Sequence, residues 1–316
     1  MSALSDIATF ARTGTATYVD SDGVLQTAAT GVPRTAHHLW DGSAWVNAGL
    51  FLESEARTNL LHTTNALVTQ STTVTAVPHT LHFTGTGTIA LSGASTAGPL
   101  VGTGTGENNR VSLTFTPSAA SLTLTVTGTV TNAQLEVGST PSSYIPNTAG
   151  SGTATRNAET LTIAAADAPW SATAVSIQME GTVTYADLGI PSNVVFVQRR
   201  TDSINQIYSS LQTDAGTGQF AFVQFNAGTF DFASTSGSFI SPGVNIPFNI
   251  ASRHGTTFVN GAVEGVSLIE DSASGSYPDL SSTDIDIGPT FMGTIKLFRI
   301  WAEDIGDVGI ASASST

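Results

Sequence analysis

The stretch NAQLEVGSTPSSYIPNT, Asn132–Thr148, decides how the chain is read. Its first half alternates. Ala133, Leu135 and Val137 fall on one face of an extended strand, and Gln134 and Glu136 fall on the other. Gly138 ends the strand, and Pro141 and Pro146 then hold a short extended segment that carries Tyr144 and Ile145. Thr-rich strands precede the stretch, and a longer, more aromatic region follows it. It therefore reads as the closing strand of one β-sandwich and the strap that leads to the next.

Working outward toward the N-terminus, residues 62–147 repeat one pattern. HTLHFTG puts Leu81 and Phe83 on one face, TGTIALSG does so with Ile89 and Leu91, and RVSLTFTP with Val111, Leu113 and Phe115. SLTLTVTG buries Leu122, Leu124 and Val126 and turns Thr123, Thr125 and Thr127 to water. Alternation this strict predicts antiparallel strands with one wet face. Turn signals about every ten residues predict a sandwich. Residues 1–61 read as a small β-rich unit. TATYV and VLQTA flank Asp20-Ser-Asp22-Gly23 as a hairpin, LWDGSAW turns at Asp41–Gly42 between Trp40 and Trp45, and GLFLESEARTNLL closes the unit. Asp20 and Asp22 open a D-x-D-G pattern, but no glutamate stands at the calcium-loop position, so a turn is expected there.

Toward the C-terminus, TAGSG begins a flexible connection, and residues 148–316 form the third unit. Strands are expected at 174–181, 193–200, 204–212, 219–225, 229–234, 247–254, 256–262 and 293–301, with hairpin turns at Asn226–Gly228 and Asn260–Gly261. Phe220 and Phe222 are expected to lie across from Phe230 and Phe232 and so to fix the register. The closing ASASST is expected to be loose. The whole predicts an all-β chain of tandem antiparallel β-sandwich, jelly-roll domains, with helix below about a tenth.

Composition excludes several classes. Of 316 residues only 11% are charged, against about 25% in ordinary soluble domains. Thr, Ser and Gly fill the difference and favour short strands and tight turns. There is no Cys, hence no disulfide and no Cys-based metal site. The opening MSALSDIATF has neither the basic start nor the apolar core of a cleavable leader, so synthesis in a cytoplasm without such a signal is the expectation. No apolar run approaches a bilayer span, which argues against membrane insertion. Net charge is −14 with Lys296 the only lysine, and a nucleic-acid surface of basic residues cannot be assembled.

The search for chemistry ends on binding. Glycoside hydrolysis needs two spaced carboxyl groups. Asp284 and Asp286 share a strand face, but the glutamate signature of jelly-roll glucanases is missing, and DIDIG reads equally as an edge strand with solvated carboxylates. His37, His38, His62, His79, His82 and His254 show no metal-ligand spacing. The expectation is no catalysis, no metal and no cofactor. One turn, RRTDSINQIY, gathers Arg199, Arg200, Asp202, Asn205, Gln206 and Tyr208. These residue types suit the hydroxyls and ring faces of a glycan; they suit equally a charged hairpin that keeps a sheet edge from aggregating.

NAQLEVG with PSSYIPNT resembles the end of the small carbohydrate-binding-type sandwich of bacteriophage tail and head-spike proteins. FARTGTATYVDSDGVLQTA followed by GLFLESEARTNLL resembles the N-terminal module of phage tail proteins. TTFVNGAVEG and GTIKLFRIWAED resemble the late hairpin and closing strand of a concanavalin-type jelly roll. The resemblance implies a virion surface protein, a tail fibre or spike, that joins other virion proteins through its N-terminal unit and adsorbs to host surface polysaccharide, most simply as a homotrimer. Two other functions stand beside it: a purely architectural decoration or tail-tip protein, and a polysaccharide depolymerase. The middle sandwich has only Phe83, Phe115 and Tyr144 as aromatics, which suits packing better than sugar binding.

Overall fold

A computed structural model describes residues 4–187, 192–214, 218–273 and 277–315. About 53% of the chain is strand and 5% helix, so the fold is all-β. The described chain divides into two compact units instead of three in sequence order. One is formed by Met1–Ala11, Ala48–Ser54 and Glu159–Thr316, the other by Arg12–Asn47 and Glu55–Ala158. Residues 1–61 are thus not a separate body. The reason lies in GLFLE. Leu50 and Leu52 are buried, as the alternation predicts. Their strand finds its partner far along the chain, on Met292–Trp301, with Leu50 opposite Ile295 and Glu53 opposite Met292. A period of two reveals an apolar face but not the strand it will lie beside.

The larger unit is an antiparallel sandwich. One sheet has seven strands in the order Ala8–Ala11, Thr160–Ile163, Ile285–Ile287, Asn193–Asp202, Asn205–Gln212, Gln219–Asn226 and Thr229–Ser234. The other runs through Val266–Ser267, Val259–Val263, Gly243–Gly255, Ala174–Tyr185 and Met292–Trp301 to residues 48–53. Phe196, Phe220, Phe222, Phe248 and Phe291 fill the space between them, with Phe196 and Phe248 ring centroids 4.7 Å apart. Burying such rings supplies roughly 1.5–3 kcal/mol each.

Three expectations for this unit change. Phe220 and Phe222 point into the core, and the residue opposite Phe230 is Phe225. The two-residue turn at Ala227–Gly228, both at positive φ, sets that register. Asn260–Gly261 is not a turn but the middle of the strand Val259–Val263. Gly261 leaves room for the Phe222 ring, which a Cβ there would strike. The turn falls at Glu264–Gly265, again at positive φ. ASASST is not loose as a whole. Residues 311–313 end the helix Gly306–Ala313, and Ser314 is buried with its hydroxyl on Ile310 O; Thr316 lies outside the described residues.

The smaller unit packs a four-stranded sheet (Leu100–Val101, Thr88–Gly93, Ala120–Thr127, Gln70–Val74) against a three-stranded one (Val111–Phe115, His79–Gly85, Val130–Val137). Leu81, Phe83, Leu122, Leu124 and Leu135 form its core, on the faces that alternation assigns. The wet face does not hold for His79–Gly85. Thr80, His82 and Thr84 are buried along with Leu81 and Phe83. Nor does the segment after Gly138 simply lead away. Ser142 N–H and Oγ–H donate to Glu136, Ile145 N–H donates to Gln134 Oε1 at 2.6 Å, and Gln134 Nε2 donates to Ser142 Oγ at 3.0 Å. The strap folds back over the polar face of its own strand.

Candidate functional site

Register places one row of side chains across the outer face of the seven-stranded sheet. It runs Thr162, Asp286, Gln198, Tyr208, Val223, Phe232, from strand to strand. The adjoining row holds Arg200, Gln206, Phe225 and Phe230. Strands lie about 4.8 Å apart, so Asp286 and Phe232 are separated by four spacings, roughly 19 Å. At one end stands an aromatic group. Phe230 is 47% and Phe232 46% exposed. Their centroids are 4.9 Å apart and stacked, and Phe225 leans on Phe230 at 4.8 Å. Two exposed phenylalanines side by side on one strand are unusual, because a face with no role ordinarily sheds such surface into the core.

The six residues gathered by RRTDSINQIY separate here. Arg199 and Arg200 are neighbours in sequence and so face opposite ways. Arg199 is buried on the inner side. Its Nε donates to Thr283 O, its Nη2 donates to Ser281 O, and its guanidinium lies 4.1 Å from the centre of the Trp170 ring. Tyr277 stacks on the same indole at 5.3 Å. Asp202 accepts from Ile204 N–H and from Asn205 Nδ2, which lowers its carboxyl below the ordinary range, and Asn205 Oδ1 accepts from Ala227 N–H. Gln206 Oε1 accepts from Gln198 while its Nε2 donates to Ser203 O. These four build the turn and hold the sheet. Arg200 and Tyr208 are different: among the described residues neither side chain has a hydrogen-bond partner.

Asp286 joins them. The strand Ile285–Ile287 is not an edge; it lies between Thr160–Ile163 and Asn193–Asp202, with Ile285 and Ile287 buried. Only Asp286 of the two aspartates belongs to that strand and faces the row. Asp284 accepts Ala165 N–H from the side. Asp286 is half-buried and accepts no hydrogen bond, so desolvation raises its carboxyl above the ordinary range; Arg200 opposes that shift and Asp284 adds to it. An unfilled guanidinium, phenol and carboxylate therefore share one face with an exposed aromatic ladder. That set can bind hydroxyls by charge-assisted hydrogen bonds and cover the apolar face of a ring. Phe225, Phe230 and Phe232 escape the sequence reading only through register. Counting back from a two-residue turn at 227–228 pairs Phe225 with Phe230 and leaves Phe220 and Phe222 for the core.

A second polar cluster in the smaller unit contrasts with it. Arg110 Nη1 donates to His82 Nδ1 at 2.9 Å, so His82 Nε2 carries a proton toward Glu136 Oε1 at 3.3 Å. Burial pushes the Glu136 carboxyl up, and the hydrogen bonds from His82 and Ser142 outweigh it, holding the group below its ordinary range. Glu107 completes the cluster through Arg110. His82 and Glu136 are wholly buried, and Ser142 is hydrogen-bonded to Glu136 and not to His82. The arrangement of serine, histidine and carboxylate is thus not that of a nucleophile activated by a base.

The chain matches no protein-family model and no curated protein sequence. Among solved structures it is similar to the carbohydrate-binding module of a Ruminococcus gnavus sialidase bound to α2,3-sialyllactose. The identity is 7% and the TM-score 0.38, over 46% of this chain and 84% of that one. It is also similar to the receptor binding domain of botulinum neurotoxin mosaic serotype C/D, at 8% identity and TM-score 0.38, over 49% of this chain and 39% of that one. A homodimeric agglutinin from chicken liver aligns at 10% identity and TM-score 0.25, over 40% and 89%. At these identities and scores no ligand transfers to this chain.

Proposed function

We propose that the chain is a glycan-binding adhesion protein displayed on the surface of a phage or phage-like particle, and that it binds polysaccharide without cutting it. One observation carries the binding: among the described residues the side chains of Arg200, Tyr208 and Asp286 have no hydrogen-bond partner, on a face that also exposes Phe230 and Phe232. The virion placement is supported by the two N-terminal motifs, 10–28 and 49–61, and by the segment 132–148. Several copies on one particle would turn weak sites into firm attachment to a repetitive surface.

A glycan array with the purified chain tests the reading, together with a reducing-end assay on every glycan that is bound. Binding should appear with no release of new reducing ends, and should fall in Arg200→Ala and in the double variant Phe230→Ala/Phe232→Ala. An array on which no glycan is retained, or on which both variants bind as well as the parent, would end it. Immunogold labelling of intact particles checks the location separately.

A further inference from the structure

We infer that the ligand of this face is an uncharged glycan, recognised through its hydroxyls and ring faces and not through a carboxylate, phosphate or ammonium group. The inference rests on the binding reading above and deepens it. Among the described residues Arg200 is the one exposed arginine, and the exposed Lys296 is tied to Glu180 at 2.7 Å. Arg200 is therefore the single uncommitted cation that the described surface offers. It does not stand alone. Asp284 and Asp286 lie on the neighbouring strand segment, and both affect or feel the charge at that place. Asp202 closes the same hairpin two residues on. Asp271 reaches the far edge of the face, where its carboxylate accepts Phe232 N–H at 2.9 Å.

The face and its rim together thus hold one guanidinium among four carboxylates, in a chain of net charge −14. An acidic polysaccharide would meet repulsion from the rim and from the protein as a whole, with one cation to offset it. A cationic glycan would be drawn to the carboxylates, but lying along the row it would bring ammonium groups beside Arg200, one strand from Asp286. An uncharged chain meets neither penalty. Its hydroxyls can donate to Asp286, accept from Arg200 and exchange with Tyr208. The exposed faces of Phe230 and Phe232 take the apolar side of a ring. The row from Asp286 to Phe232, roughly 19 Å long, suits an oligomer of several rings more than a single sugar.

The test is equilibrium binding by the full chain to three sets of oligosaccharides matched in length: neutral hexose oligomers, oligouronates and glucosamine oligomers. Each is measured at low and at high salt. The inference expects retention of one or more neutral oligomers with an affinity that changes less than about twofold with salt, because no charge pair is formed. Arg200→Ala and Asp286→Asn should each weaken that binding by about tenfold or more, with circular dichroism and melting unchanged. Selective binding of oligouronates or glucosamine oligomers, weakened by salt, overturns the inference while leaving the glycan-binding reading in place. Failure of all three sets to bind overturns the reading itself. Neutral binding untouched by either variant places the ligand on another face and overturns both.

Discussion

The outer face of the strands Asn193–Asp202 and Asn205–Gln212 and the polar face of His79–Gly85 are built from similar material. Each alternates apolar residues with arginine, histidine, glutamine or threonine partners, and each lies on one layer of a sandwich. On His79–Gly85 the chain's own strap closes over the polar side. His82 is held by Arg110 and Glu136, and Thr80 Oγ1 donates to Gly138 O. On the other face the side chains of Arg200, Tyr208 and Asp286 have no hydrogen-bond partner among the described residues. A polar stripe on a strand therefore does not mark a site by itself. What separates the two is whether the protein has already satisfied the groups, because a satisfied buried network gives stability and rigidity, whereas an unfilled surface set is left to bind something else.

The sharpest way to break the contrast is Glu136→Ala. It removes the acceptor of Ser142 and the partner of His82 inside a buried cluster, leaving donors there without acceptors. Such losses cost about 3–5 kcal/mol, which should lower the melting temperature of the smaller unit by roughly 10 °C. A change of a degree or two would mean that water reaches the cluster. Glycan binding should be unaffected below that transition.

The adjacent arginines give the next largest difference. Arg199→Ala removes two hydrogen bonds to carbonyls and the contact with Trp170 from the core, and should cost about 2–4 kcal/mol. Arg200→Ala should change stability by no more than about 0.5 kcal/mol and act on binding alone. Equal effects of both variants on chemical denaturation would show that their faces are assigned wrongly. The effect of Phe230→Ala/Phe232→Ala on unfolding is smaller again. The rings are half exposed, so the loss for the two together should stay at about 2 kcal/mol, with a much larger loss of glycan retention.

These outcomes bear on how far the sequence could be read. The all-β class, the core faces of Leu122 and Leu124, and the hairpin at Asn226–Gly228 follow from local alternation and turn chemistry, and all three are present. What local pattern cannot supply is the identity of distant partners. Gln134 and Glu136 look solvent-facing until Ser142–Ile145 fold back on them. Leu50 and Leu52 look like part of a first domain until Met292–Trp301 takes them. Arg199 looks like a twin of Arg200 until the loop carrying Ser281 and Thr283 covers it. Four of the six residues gathered in RRTDSINQIY therefore prove to be scaffold. Asp286 and Phe230–Phe232 come from other segments that only the sheet order brings to the same row.

The smallest effect expected is a titration. Desolvation raises the Asp286 carboxyl above its ordinary range, with Arg200 pulling it down and Asp284 pushing it up. A raised acid stabilises the folded state most when protonated. Its contribution is complete below the unfolded value and disappears as pH rises through the folded one. Binding as proposed runs the other way, because the carboxylate that would accept a sugar hydroxyl is lost as pH falls through the same folded value. Asp20, Asp41, Asp202 and Asp279 do not blur the window. Backbone and side-chain hydrogen bonds lower all four, so their contributions fall away only at more acid pH. Between neutrality and the ordinary carboxylate range, the parent should lose affinity for its glycan on acidification while gaining slightly in stability relative to Asp286→Asn. The variant should bind weakly and evenly across that range. Calorimetric titrations and melting curves of both proteins at stepped pH decide it: parallel affinity curves, or a parent that loses stability relative to the variant in that window, would place Asp286 outside the binding row.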